Sequence, residues 1–538
     1  MFDIVIKNGK MVDGTGNPWF KADLGIENEK IATVGRLDRS ESGRTIEAEG
    51  LVVCPGFIDM HSHSDVSVFF NPSLDSAVRQ GITTLVTGNC GMSLAPVNSS
   101  RKDLLMKYLS PFLPPGGQLR IDWNNFAEYL TRLEENKTSA NIAQLVGHGT
   151  VRIAVMGLES RDPTSEELEK MKALVAEAMK AGAFGMSAGL IYPPGIYSKT
   201  DELIELCRIV ARYGGIYACH IRGEGDTLME AVKEAINIGE ETSIPVEISH
   251  HKAAGKPNWG KTKETLSLMK KARARGVDVT FDQYPYNAGM TSLSTLLPPW
   301  VHVGGIDEML KRLRSSEERE RIRKDIELGI MGWENFIADC GWENIYVSSV
   351  TNEENKHLEG KSLVEIAKMK KKDEFTALCD LLLEEKGKAT IVLFMMDEKE
   401  IRRVMKSCLQ MVGTDSWALA PHGILGLGKP HPRFYGTFPR ILGKYVREEA
   451  ALTLEDAIRK MSSFPAQRIR LEDRGLIREG MWADIVIFDP TKVIDKATYQ
   501  DPHQYPEGIE YVLVNGKVII DKGEHTGILA GKILRPSK

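Results

Sequence analysis

The chain has 538 residues, 42% of them hydrophobic and 27% charged, with a formal net charge of -5. A length beyond the size at which single cores stop growing predicts a large domain plus at least one smaller unit. The near-neutral balance excludes the basic footprint of a nucleic-acid-binding protein, and no window holds the apolar run that a membrane span requires.

Met1-Phe-Asp-Ile-Val-Ile-Lys alternates as a strand does and lacks the charged-then-apolar order of a signal peptide. The seven cysteines are scattered, odd in number and without CxxC pairs. That pattern predicts a reducing compartment, the cytoplasm by default, in which a special cysteine acts as ligand or nucleophile.

Up to about Cys54 the chain consists of short alternating segments, among them Asp3-Ile-Val-Ile, Ala22-Asp-Leu-Gly-Ile and Lys30-Ile-Ala-Thr-Val, separated by Gly and Asn turns. The far end repeats the style in Ala483-Asp-Ile-Val-Ile-Phe and Tyr511-Val-Leu-Val, where Asn515-Gly516 marks a hairpin. Both ends, 1–54 and 475–538, are expected to build one small composite β-sandwich, with the main domain inserted between them.

From Pro55 strands alternate with amphipathic helices. The candidate strands are Gly56–Met60, Ile82–Thr87, Ile142–Gly147, Phe184–Ser187, Ile216–Cys219, Val246–Ser249, Val277–Asp282 and Met411–Thr414. Helices are expected at Ser165–Ala181 and Asp201–Tyr213, the second opened by a Thr200/Asp201 cap. Eight strands alternating with helices predict an α/β fold, a (β/α)₈ TIM barrel, with a doubly wound open sheet as the alternative. The barrel would occupy 55–286 (strands one to seven) and 390–474 (strand eight). Between them, 287–389 reads as a charge-rich, largely helical insertion. Because it leaves the end of the seventh strand, it is expected to be a lid over the barrel mouth.

Chemistry-bearing residues concentrate at the strand ends. Gly56-Phe-Ile-Asp-Met-His61-Ser-His63 ends an apolar strand in His-x-His, two imidazoles on one side of a rigid element. Cys90, His220 and His250 each follow another candidate strand. Alone, each reads as a buried thiol or a satisfied core histidine. Together with His61 and His63 they place five metal-competent side chains at the ends of the first, second, fifth and sixth strands, around one mouth. One or two zinc ions would suit this set. Asp415, in Val412-Gly-Thr-Asp-Ser, ends the last strand. It reads as a helix cap or, in a metal site, as the carboxylate that takes a proton from water and hands it to a leaving amine.

The Pro-Gly-Phe-Ile-Asp-Met-His61-Ser-His63-Ser-Asp65 run and the Ala-Asp484-Ile-Val-Ile segment resemble the amidohydrolase superfamily. Gly88-Asn-Cys90-Gly, Cys219-His220-Ile-Arg222-Gly-Glu-Gly-Asp226, Ser249-His250-His251-Lys252 and Asp282-Gln-Tyr284-Pro-Tyr are similar to its D-aminoacylase branch. This resemblance implies a tightly held Zn²⁺ on Cys90, His220 and His250. A second, weaker metal would sit on His61 and His63, with Cys90 bridging, and Asp415 would be the general base and acid. Lys252 and Tyr284 would hold the α-carboxylate of a small-molecule N-acylated D-amino acid, with Tyr192 and Arg222 as further substrate contacts. Arg222 and His148 also stand where supports of the ligands would be. The rival activities are a dipeptidase for D-terminal dipeptides and a cyclic-amide hydrolase of the dihydroorotase or hydantoinase kind. The latter bridges its metals through a lysine after the fourth strand, and Phe184-Gly-Met-Ser-Ala-Gly-Leu has none. The insertion after Asn287 looks longer than a minimal member of the branch needs.

Overall fold

The computed structural model describes residues 1–37, 42–114 and 116–537. Its centre is a ring of parallel strands: β1 (Phe57–Asp59), β2 (Ile82–Thr87), β3 (Asn141–Gln144, resumed at Val146–Gly147), β4 (Gly185–Gly189), β5 (Ile216–His220), β6 (Val246–Ile248), β7 (Val279–Gln283) and β8 (Gln410–Val412). Each pairs in parallel with the next. The ring closes where Met60 N–H donates to Val412 O at 3.2 Å and Asp415 N–H to His61 O at 2.7 Å, beside a parallel bridge between Ser62 and Ser416. The fold is an α/β barrel, and the open-sheet alternative falls because its first and last strands meet.

The ring forms because its strands are apolar on both faces. Ile58, Met60, Val86, Ala143, Leu145, Phe184, Ile216, Ala218 and Met411 pack together in one cluster. Residues of alternate parity, such as Phe57, Leu85 and Ile142, join the larger cluster that includes the surrounding helices. The helix Ser165–Ala181 opens on a capping box between Thr164 and Glu167. The expected Thr200/Asp201 cap is absent: the helix Thr200–Arg212 follows Lys199 with no side-chain cap bond, because Thr200 Oγ1 donates instead to Glu234 Oε1 at 2.8 Å.

Strands from both chain ends share one nine-stranded sheet, joined where Val52–Pro55 pairs antiparallel with Ile485–Phe488. Eight of its strands form one hydrogen-bonded path, and the ninth, Ser42–Glu47, branches from it by pairing in parallel with Phe2–Met11. Asn515 and Gly516, with φ of 48° and 72°, turn the hairpin between Ile509–Val514 and Lys517–Asp521, as a type I′ turn requires.

The insertion has its own apolar core, including Leu297, Met309, Val347, Ile366, Leu378 and Leu393. It is not only helical. Ala288–Ser292, Ile345–Ser349 and Thr390–Phe394 form a three-stranded antiparallel sheet, so the insertion runs past residue 389, the boundary expected from its charge pattern. Among the described residues, no helix is long and apolar enough to cross a membrane.

Candidate metal centre

Six side chains, His61, His63, Cys90, His220, His250 and Asp415, meet at the C-terminal mouth of the barrel. The Cys90 Sγ lies 3.3 Å from His61 Nε2, 3.7 Å from His220 Nδ1 and 3.8 Å from His250 Nε2. Asp415 Oδ1 stands 3.2 Å from His63 Nε2 and 3.6 Å from His61 Nε2. Two trios, His61–Cys90–His250 and His61–His63–Asp415, each hold their donor atoms within 4.8 Å of one another. Burial alone would push the Cys90 thiol up. The charge of His61 and hydrogen bonds from His220, His250 and His61 overcome that and hold it well below its ordinary value, as a thiolate. Three imidazoles around one buried cysteine sulfur match the N/S donor set of zinc, and the buried Nε2 of His220 has no hydrogen-bond partner among the described residues.

The ring nitrogens facing away from this centre meet carboxylates. His61 Nδ1 lies 3.4 Å from Asp282 Oδ2, and His250 Nδ1 lies 2.8 Å from Glu224 Oε1. Such partners fix the tautomer and orientation of a ligating histidine. Glu224 also accepts from Lys252 Nζ at 2.6 Å. Burial opposes its ionisation, but Lys252 and His250 hold the Glu224 carboxyl well below the usual range.

The mouth opens into a cavity of about 200 Å³ whose lining includes His63, Cys90, Tyr192, His220, His250, Lys252, Tyr284, Asp415 and Arg433. Lys252 and Arg433 both face the Tyr284 ring, at 5.6 and 4.6 Å from its centroid. The Tyr192 ring packs edge-on to His220 at 5.1 Å, with its hydroxyl 3.3 Å from Thr291 Oγ1. Arg433 Nη1 lies 2.9 Å from Asp415 Oδ2. Against burial, Arg433, His250 and His63 keep the Asp415 carboxyl well below its ordinary value.

One expected substrate contact is not there. Arg222 turns away from the cavity and forms a fork with Glu234, at 3.0 Å through Nε and 2.9 Å through Nη2, while also donating to Ser198 O. A bidentate carboxylate on the next helix satisfies the guanidinium better than an open mouth does. His148 is likewise outside the site, with Nε2 2.7 Å from Glu202 Oε1. Sequence reasoning missed Glu224, Asp282 and Arg433. The first two stood inside the quoted motifs, where a carboxylate near a ligand histidine is the available signal. Arg433 lies in the helix Arg433–Arg440, for which no local signal exists.

A barrel of eight parallel strands with imidazoles, a thiolate and a carboxylate at its C-terminal mouth defines the class of metal-centred α/β-barrel proteins. The chain belongs to the amidohydrolase family, whose pattern matches residues 44–294 and 412–520, leaving most of the insertion between the two matched stretches. A D-aminoacylase from Alcaligenes xylosoxydans xylosoxydans is 36% identical over 533 residues, 99% of this chain and 97% of that one. The structure of an N-acyl-D-glutamate deacylase from Bordetella bronchiseptica, complexed with zinc and a phosphonate mimic of the tetrahedral intermediate, is similar with a TM-score of 0.83. It is 32% identical, covering 99% of both chains. A D-aminoacylase described by one-metal activation and second-metal attenuation of a binuclear centre gives a TM-score of 0.82 at 35% identity, over 99% of this chain and 100% of that one. Coverage this complete runs through the insertion, so its length is not the departure that the sequence led us to expect.

Proposed function

We propose that this protein hydrolyses the amide bond of N-acyl-D-amino acids to a carboxylate and a free D-amino acid, with zinc as its cofactor. The observation that carries this reading is the Cys90 sulfur ringed by three imidazoles, with Asp415 beside them at the mouth. Cys90, His220 and His250 would hold the tighter metal, and His61 and His63, together with Cys90, would hold a second, weaker one. Zinc, when bound, supplies Lewis acidity, polarising a carbonyl and making water more acidic.

The chain's own residues do the rest. Asp415 Oδ1, ionised and facing the histidines, takes a proton from water as the water oxygen bonds to the acyl carbon. It returns the proton to the amide nitrogen as the C–N bond breaks. Arg433 holds the other oxygen of Asp415, keeping Oδ1 turned to the reaction. The Lys252 ammonium and the Tyr284 hydroxyl anchor the α-carboxylate, and Tyr192 forms the wall beside His220. With carbonyl and carboxylate both fixed, the substrate side chain can point only one way, which is how a D preference arises.

The insertion is read as a lid, since its strands line the cavity through Met290, Thr291 and Leu393. The terminal sheet is read as a sandwich folded over an apolar core that includes Ile6, Leu24, Ile485 and Leu513. The cytoplasm is its proposed location, because all seven cysteines are free. Against a cyclic-amide hydrolase, β4 (Gly-Met-Ser-Ala-Gly) offers no bridging lysine, and Lys199 is an exposed residue facing Asp162.

The test is zinc-supplemented hydrolysis of paired N-acetyl-D- and N-acetyl-L-amino acids, alongside D-terminal dipeptides and cyclic imides. Turnover is expected for the D set, falling by about 10²- to 10⁴-fold in Asp415→Ala, the range of a lost general acid–base group. Turnover of dipeptides or imides alone would overturn the substrate assignment.

A further inference from the structure

The insertion reaches the metal centre's support through a buried carboxyl group, that of Glu334. Glu334 precedes the short helix Phe336–Cys340 and is 7% exposed. Its Oε1 accepts the backbone N–H of Glu224 at 3.0 Å, and its Oε2 has no hydrogen-bond partner among the described residues. Glu224 is the residue whose Oε1 meets both His250 Nδ1 and Lys252 Nζ. Two hydrogen bonds, both made by Glu224, therefore link the insertion to His250 and to Lys252.

The surroundings keep that contact in register. Asp339, on the same short helix, packs where Gly225 and Gly255 leave room: a Cβ on either glycine would stand 2.7 Å from an Asp339 atom. Asn258 Nδ2 donates to Asp339 Oδ1 at 3.3 Å, Ala254 N–H to Glu224 O at 2.8 Å, and Gly255 N–H to Met395 O at 2.8 Å. The loops after β5 and β6 are thus clamped to the insertion on both sides of Glu224. Burial, with Glu224 and Asp339 close by, pushes the Glu334 carboxyl well up and so favours its neutral form, and glutamine keeps the shape and the acceptor oxygen.

We propose that Glu334 is a positioning residue through which the docked insertion aims Glu224, and so sets the orientation of His250 and Lys252. The proposal rests on the reading of His250 as a zinc ligand and of Lys252 as the carboxylate anchor.

The experiment uses the full chain with Glu334→Met, which fills the volume without an acceptor, and Glu334→Gln, which keeps one. Zinc affinity is measured by competition with a chelator, and kcat and KM are measured on an N-acetyl-D-amino acid, with thermal melting as the check on folding. Glu334→Met is expected to weaken zinc binding by about 10-fold, the lower end for groups that orient a ligand, and to raise KM. Glu334→Gln should restore both to within about 2-fold. A folded Glu334→Met that binds zinc as the unaltered protein does would overturn the proposal. So would a Glu334→Gln as impaired as Glu334→Met. If Glu334→Met does not fold, Glu334→Gln decides alone: retained affinity supports the role, and a 10-fold loss refutes it. Zinc affinity is read without substrate, so a failure of the deacylase reading would leave this result interpretable.

Discussion

Cys90, His250 and Asp415 share a backbone feature that ordinary packing does not call for. Their φ values are 52°, 37° and 49°, the left-handed region that non-glycine residues with a Cβ avoid. Such conformations persist where the surroundings over-determine them, and they cluster at functional sites. Here each lies just beyond a strand end, and the turn aims its side chain into the mouth. The Tyr284 hydroxyl can be tested by a single atom. Tyr284→Phe is expected to raise KM for an N-acetyl-D-amino acid by about 10-fold with little change in kcat, as loss of one hydrogen bond to a charged group predicts. Against the corresponding α-carboxamide, the variant and the unaltered protein should then differ little. An equal loss on both substrates would remove Tyr284 from the carboxylate site.

The insertion is the element whose attachment matters most. Asp339, in the short helix that meets the β5 and β6 loops, has its carboxyl raised to about 7, by burial first and then by the nearby Asp226. An unfolded aspartate titrates near ~3.9, so the docked state favours the neutral form. The stability that this group contributes is complete below pH ~4 and is lost as pH rises through about 7. Asp339→Asn, permanently neutral, should therefore melt higher than the unaltered protein at pH 8, with the gap narrowing towards pH 5. A gap independent of pH would show that Asp339 is not held neutral in the docked helix. Little of this element was legible beforehand. Its charge-rich helices were visible, but Ile345–Ser349 and Thr390–Phe394 pair across long separations, and a short apolar run does not declare its partner.

At the scale of the whole molecule, the terminal sheet is tied to the barrel by a buried polar network. Arg474 pairs with Asp484, and its Nη2 donates to Asn515 Oδ1 at 2.7 Å. Asp484 accepts from Asn515 N–H at 2.7 Å and from Asn141 Nδ2 at 3.0 Å, and Asn141 lies on β3. Removing one member leaves the arginine charge buried without a counter-ion. Asp484→Ala should therefore cost about 3–5 kcal/mol, read as a fall in the denaturant midpoint of the zinc-loaded protein. A shift below about 1 kcal/mol, the worth of an exposed pair, would mean that water reaches the gap.

The amino-acid sequence by itself determined the local and repetitive parts of this protein. Short apolar runs between amphipathic helices located the barrel strands, Asn515-Gly516 located a hairpin, and histidines and a cysteine placed just after apolar strands marked one mouth. Each signal is carried within a few residues, because strand periodicity and turn chemistry are local properties of the backbone. The tertiary structure alone decided which neighbours face the cavity. Arg222, two residues after His220, is drawn off by Glu234, while Arg433, far along the chain, reaches Asp415. Glu334 meets Glu224 from 110 residues away. Contacts of that kind depend on how packed elements bring distant side chains together, and no periodicity records them.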